Sequence, residues 1–176
     1  MKTKTIGLTA LSLVLAVGVL GGILFQTGTL EELQGRFSTR VLTRAQIIKL
    51  IVEDTGVTVV SSTTKCTFTD IVGDEWYAES FYTACENGWI SYPSATAADP
   101  NGILSTAQTS KIAYLAYGVT ESLPSSASYT DVASDSWYYS YVESLNAVGA
   151  YSATSGTFGP DKSTTMTFVR YLTAHL

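Results

Sequence analysis

Between residues 42 and 56 the apolar side chains Ile47, Ile48, Leu50 and Ile51 return at helical spacing, giving one face to a core. They follow Thr43-x-x-Gln46, a capping box in which hydroxyl and amide satisfy two orphan backbone donors, and Gly56 closes the helix. The order recurs at Ser105-x-x-Gln108, closed by Gly118, and more weakly at Thr165-x-x-Phe168, which offers no amide or carboxylate. A second kind of helix is predicted after Asp74, whose carboxylate reads as the N-cap. There Tyr77, Phe81, Ala84 and Cys85 share a face, and Gly88 ends the element. Asp135 and Gly149 bracket its repeat. The pattern predicts a mainly α protein of helix-loop-helix units.

Upstream, Ile6 to Phe25 runs for twenty residues without a charge. As a helix it spans about 30 Å, the hydrocarbon thickness of a bilayer. It reads as a membrane anchor or a signal segment. Cleavage after Ala16-Val17-Gly18 would leave a strongly apolar new terminus, which favours the uncleaved, transmembrane-type helix. Lys2 and Lys4 place the short leading end in the cytoplasm and the rest outside. Gly18 and Gly22 have the spacing that lets membrane helices approach closely, although glycine is also simply common there.

Self-similarity organises the remainder. Phe68-Thr69-Asp70-Ile71 recurs as Tyr129-Thr130-Asp131-Val132, 61 positions on, and Trp76-Tyr77 recurs as Trp137-Tyr138. Leu42 to Gln46 matches Leu104 to Gln108, and Gly35-x-Phe37 matches Gly156-x-Phe158. The chain therefore divides into an anchor or signal segment (1–28), a partial repeat (29–57), a polar linker (58–67), a full repeat (68–119), a second linker (120–128) and a second full repeat (129–176). Such helix pairs cannot bury their apolar faces alone and should pack on one another.

Charge narrows the partners. After Lys4, eight cations face fifteen acids, an acidic body that argues against nucleic acid. One histidine, two cysteines and no Gly-rich phosphate loop supply no metal or cofactor site. Asp70, Asp74 and Glu75 lack the alternating oxygen ligands of a calcium loop, and helix capping is the better account of Asp74. His175 has no nucleophile or orienting acid in view and reads as a solvated terminal residue, so no catalytic site is predicted. Export would oxidise Cys66 and Cys85 to a disulfide closing a loop of about 20 residues, worth about 3 kcal/mol. Trp76 and Trp137 recur at one repeat position and read as core or groove wall. Trp89 has no repeat counterpart and is left for a surface role.

These residues resemble the S-layer homology domain over roughly 35–176. The match is carried by Phe68, Asp70, Trp76 and Gly88, by Tyr129, Asp131, Trp137, Gly149, Gly156, Phe158 and Pro160, and by the Thr43-Arg44-Ala45-Gln46 box. The resemblance implies repeats packed around a small helical bundle with a pseudo-threefold axis. It also implies grooves that bind secondary cell-wall polysaccharide, often with a pyruvylated sugar. In that pattern Arg44 grips the acidic sugar, while Asp70, Trp76, Asp131 and Trp137 shape the grooves. Physics gives Arg44 the same role: a cation in the first helical turn beside free backbone N–H groups prefers an anion.

The departures are specific. Thr106 and Met166 stand where the other box arginines belong, and Gln46 and Gln108 replace the box glutamate. One groove, built on Arg44 with Asp70 or Trp76, is therefore expected to be competent. The leading expectation is a non-enzymatic cell-envelope protein, exported and membrane-anchored, that contacts lipid through its N-terminal helix and wall glycan or surface layer through its repeats. The alternative is a self-assembling filament or surface-array subunit, a homo-oligomer packed through the apolar helix.

Overall fold

The computed structural model describes residues 39–91, 97–152 and 156–176. Within them the protein is mainly α-helical: α1 (Arg44–Thr55), α2 (Ala78–Glu86), α3 (Thr106–Ala116), α4 (Tyr139–Ala147) and α5 (Met166–Ala174). Extended pairing among the described residues is confined to isolated bridges. No described helix is long and apolar enough to cross a membrane. The Ile6–Phe25 segment with Gly18 and Gly22 lies outside the described residues, as do Gly35 and Phe37 of the partial repeat.

Both capping boxes form. Thr43 Oγ1 accepts the Gln46 N–H while the Thr43 N–H donates to Gln46 Oε1, and Ser105 with Gln108 repeats the exchange. Thr165 caps the Phe168 N–H without a reciprocal partner, as its sequence dictates. Gly88 and Gly149 take the left-handed conformation that ends α2 and α4, with φ of 73° and 79°. At the end of α2 the Gly88 N–H donates to the Cys85 carbonyl and the Trp89 N–H to that of Ala84, the two bonds of a Schellman motif.

The expected Asp74 and Asp135 caps are not observed. α2 and α4 begin later, behind Tyr77 and Tyr138, and neither has a side-chain cap. A preceding tight turn takes the cap's place, because the Ala78 N–H donates to the Glu75 carbonyl and that of Tyr139 to Ser136. Burial then holds each helix, through Phe81, Ala84 and Cys85 in α2 and Val142 and Leu145 in α4.

The two polar stretches read as linkers lie along these first helices. The Val60 N–H donates to Thr83 Oγ1, Thr63 Oγ1 to Glu86, and the Cys66–Cys85 disulfide closes the strap. On α4 the Ser122 N–H donates to Ser144 Oγ, and both the N–H and hydroxyl of Ser128 donate to Glu143. Glu143 is 1% exposed, and these donors offset the cost of burying its carboxylate.

α2 packs on α1 and α4 on α3, while α1, α3 and α5 touch one another pairwise. Their N-terminal ends are stitched in a ring: the N–H of Arg44 donates to Gly102, that of Thr106 to Lys162, and that of Met166 to Arg40. Bridges Thr43–Ile103, Ser105–Ser163 and Val41–Thr165 repeat the junction at each step. Each second helix is thus pinned by the segment leading into the next, and the last by the segment leading into the first. Fully buried Ile47, Ile51, Phe81, Leu145, Val169 and Leu172 belong to one hydrophobic core shared by the two kinds of helix.

Candidate functional site

Arg44 opens α1, and its side chain is 19% exposed. Nη1 donates to the Ala98 carbonyl at 2.5 Å, and Nη2 lies 3.9 Å from Asp99, an ion pair too long to hold the guanidinium firmly. Nε is buried without a hydrogen-bond partner among the described residues. The expectation of free backbone amides beside it is corrected. The N–H groups of Arg44, Ala45, Gln46 and Ile47 donate to Gly102, Pro100, Thr43 Oγ1 and the Thr43 carbonyl. Ring closure takes the first two donors, and the capping box and the helix take the other two, so only side chains remain to meet an anion here.

Asp70 stands one step behind. Its two oxygens accept the N–H groups of Ala98 at 2.6 Å and Asp99 at 2.8 Å, shaping the loop whose carbonyl holds Arg44. Asp131 does the same for Phe158 and Gly159, both at 2.7 Å. Burial would raise the Asp131 carboxyl, but those two N–H donors, its own N–H and nearby Lys162 outweigh it and hold it below the usual carboxylate range. Both carboxylates therefore act as loop fasteners. In the third groove described below, burial and the nearby Glu143 and Asp131 charges push the Tyr129 phenol up to about 12, so it stays a neutral donor to Asn146.

Arg44 lines a cleft of about 330 Å³ with Trp89, Lys111, Gln108 and Trp137. Trp76 is absent from it, which corrects the expected pairing. A first helix packs on the second helix of the preceding unit, so each repeated tryptophan falls one groove along: Trp76 beside α1 and Trp137 beside α3. Trp76 and Trp137 are groove walls and not core, at 58% and 57% exposed, each edge-on to the tyrosine that follows. Trp89 is not a surface residue. It is 7% exposed, drawn inward by the Schellman turn that its own N–H closes.

Two further grooves sit at related positions. One, of about 240 Å³, is lined by Trp76, Gln46, Lys49, Arg40 and Met166. The other, of about 370 Å³, is walled by Tyr129, Tyr151, Phe158, Phe168 and Tyr171, and no charged side chain among the described residues lines it. Sequence reasoning missed Lys111, Gln108 and Arg40 as groove residues. The signal for the first two was present, since Gln46 and Lys49 recur as Gln108 and Lys111 at the box offset. His175 is exposed and stacks on Tyr171 with ring centres 4.0 Å apart.

Chemically, the Arg44 cleft combines two cations, an amide and an exposed indole face. That set suits a ligand with a carboxylate or similar anion on a ring that can stack. No protein-family model matches the chain, and neither does any curated protein.

Proposed function

We propose that this protein is a non-enzymatic cell-envelope component that holds acidic wall glycan in the Arg44 groove. Its repeats are read as degenerate S-layer homology units behind a membrane anchor at Ile6–Phe25. The ring of three second helices, each pinned by the next connecting segment, supports that family reading, because it is the closure a pseudo-threefold repeat domain requires.

One observation carries the ligand assignment. Arg44 is largely buried yet under-used: Nε has no partner among the described residues, and its nearest carboxylate is 3.9 Å away, with Lys111 and the exposed Trp137 lining the same cleft. A buried cation left so poorly compensated is destabilising, and an anionic ligand would relieve it. In an otherwise acidic protein, two of the eight cations after Lys4 line this one groove.

The test is co-sedimentation of the full chain, in mild detergent, with purified wall sacculi. Loss of a charge-assisted contact of about 1.5–3 kcal/mol weakens binding roughly 10- to 150-fold. Arg44→Ala is expected to do so, and binding equal to wild type would remove Arg44 from recognition.

A further inference from the structure

We infer that the outer face of α5 and the aromatic groove beside it are the docking site for residues 29–37 of this same chain, the stretch between the membrane anchor and the ring. This rests on the anchor reading given above. In the other two units a first helix lies over the second helix of the unit before it, α2 on α1 and α4 on α3, and no described helix packs on α5 to that extent. Burial records the difference. On α1, Ile48 and Val52 are buried. At the same positions of α3, Ser110 is buried and Tyr114 meets Tyr141 of α4 edge-on, with ring centres 5.1 Å apart. Their counterparts on α5, Arg170 and Ala174, are exposed. The groove alongside is short of a wall as well: Trp137 and Trp76, from the segments opening first helices, line the other two grooves, and no described tryptophan lines this one.

The vacancy asks for an apolar occupant. Where α1 and α3 carry Gln46 with Lys49 and Gln108 with Lys111, α5 carries Phe168 and Tyr171, and both line the groove. Position supplies the occupant. The Met166 N–H donates to Arg40 and Val41 bridges to Thr165, so the chain preceding Arg40 arrives at the start of α5. The anchor claims Ile6–Phe25, which leaves residues 26–38 to cover the face. Among them Thr29-x-x-Glu32 has the capping-box pattern, Leu30 and Leu33 share one helical face, and Gly35 closes the turn. Leu33 and Arg40 are seven residues apart, a reach of about 25 Å at full extension against about 14 Å for the length of α5. Charge agrees. Arg170 has no ion pair among the described residues, and Glu31 and Glu32 lie between the two leucines. Docked this way, the segment leaves only residues 26–28 between bilayer and domain. The α5 side then faces the membrane, and the Arg44 groove, built on α1 and α3, faces away from it.

The experiment cross-links the full chain in mild detergent with a short bis-maleimide and maps the products by mass spectrometry. Gln34→Cys with Ala174→Cys, an exposed position on α5, is expected to join within one chain, and Gln34→Cys with Val59→Cys, on the strap along α2, is expected not to. Leu30→Asp with Leu33→Asp in the first background should abolish the product. Arg170→Glu should lower its yield by up to about fivefold, the ratio an exposed ion pair sustains. As a second readout, the amides of residues 171–174 should exchange hydrogen more slowly in wild type than in the Leu30→Asp/Leu33→Asp chain. No Gln34–Ala174 product, or one as abundant in the two-aspartate chain, overturns the docking and leaves the anchor standing. Equal exchange in the two chains overturns it too. A product between two chains assigns the face to a second copy instead. Gly22→Cys joining Ala174→Cys within one chain puts the apolar run itself on α5, and overturns docking and anchor together.

Discussion

Replacing Asp70 by alanine tests how the repeats hold their own loops. Its two oxygens accept the Ala98 and Asp99 N–H groups across 28 and 29 residues of chain. Hydrogen bonds to a charged acceptor contribute about 1.5–3 kcal/mol each, so the pair lies at about 3–6 kcal/mol. Asp70 is only half-buried, and water can reach the released N–H groups, which places the loss near the lower end, about 3 kcal/mol. That is a large share of the 5–15 kcal/mol typical of a domain. Asp131→Ala removes the matching pair from the Phe158–Gly159 loop and should cost about as much. Asparagine keeps one acceptor oxygen and should lose about half. Urea unfolding followed by circular dichroism at fixed pH gives the numbers. Asp70→Ala should also weaken glycan binding without touching the ligand, because Ala98 seats the Arg44 guanidinium. Losses below about 0.5 kcal/mol in both alanine variants would show that water replaces the carboxylates, and the fastening role would be wrong.

Reducing Cys66–Cys85, which encloses 19 residues of separation, should lower stability by about 3 kcal/mol, read as a shifted urea midpoint with and without reductant. The folded Asp131 carboxyl lies below its ordinary 3.8, so its contribution is fully present above that value and lost as pH falls through the folded value. Acid titration should therefore loosen the 156–163 loop only below about pH 4, and Asp131→Asn should flatten that limb of the stability curve. Trp89→Ala should cost about 3–5 kcal/mol as a core deletion, whereas Trp76→Ala, more than half exposed, should leave the thermal midpoint almost unchanged.

The second helices were legible before any coordinates because their signals are local. A hydroxyl and an amide three residues apart satisfy each other within one turn, and the glycine that ends the helix acts within two residues. The first helices were placed correctly but started wrongly, since Asp74 looks like a cap in sequence while a turn at Glu75 and the burial of Phe81 set the boundary. Trp89 was misjudged for a related reason: lacking a repeat partner, it seemed dispensable to the core, yet the turn at Gly88 carries it inside.

Periodicity and capping chemistry by themselves determined that this chain makes helix pairs and that Arg44 opens a helix, because each of these is decided by residues within a few turns of one another. Which side chains share a groove was decided only in three dimensions. The ring that bonds Met166 to Arg40 and Arg44 to Gly102 joins residues more than fifty positions apart, and it sends each first helix onto the unit before it. That displacement sets Arg44 opposite Trp137 and not Trp76, spends the helix-end amides on the ring, and brings Arg40 to the groove where Met166 stands. No local signal encodes such a juxtaposition, because it follows from the order in which the packed units close.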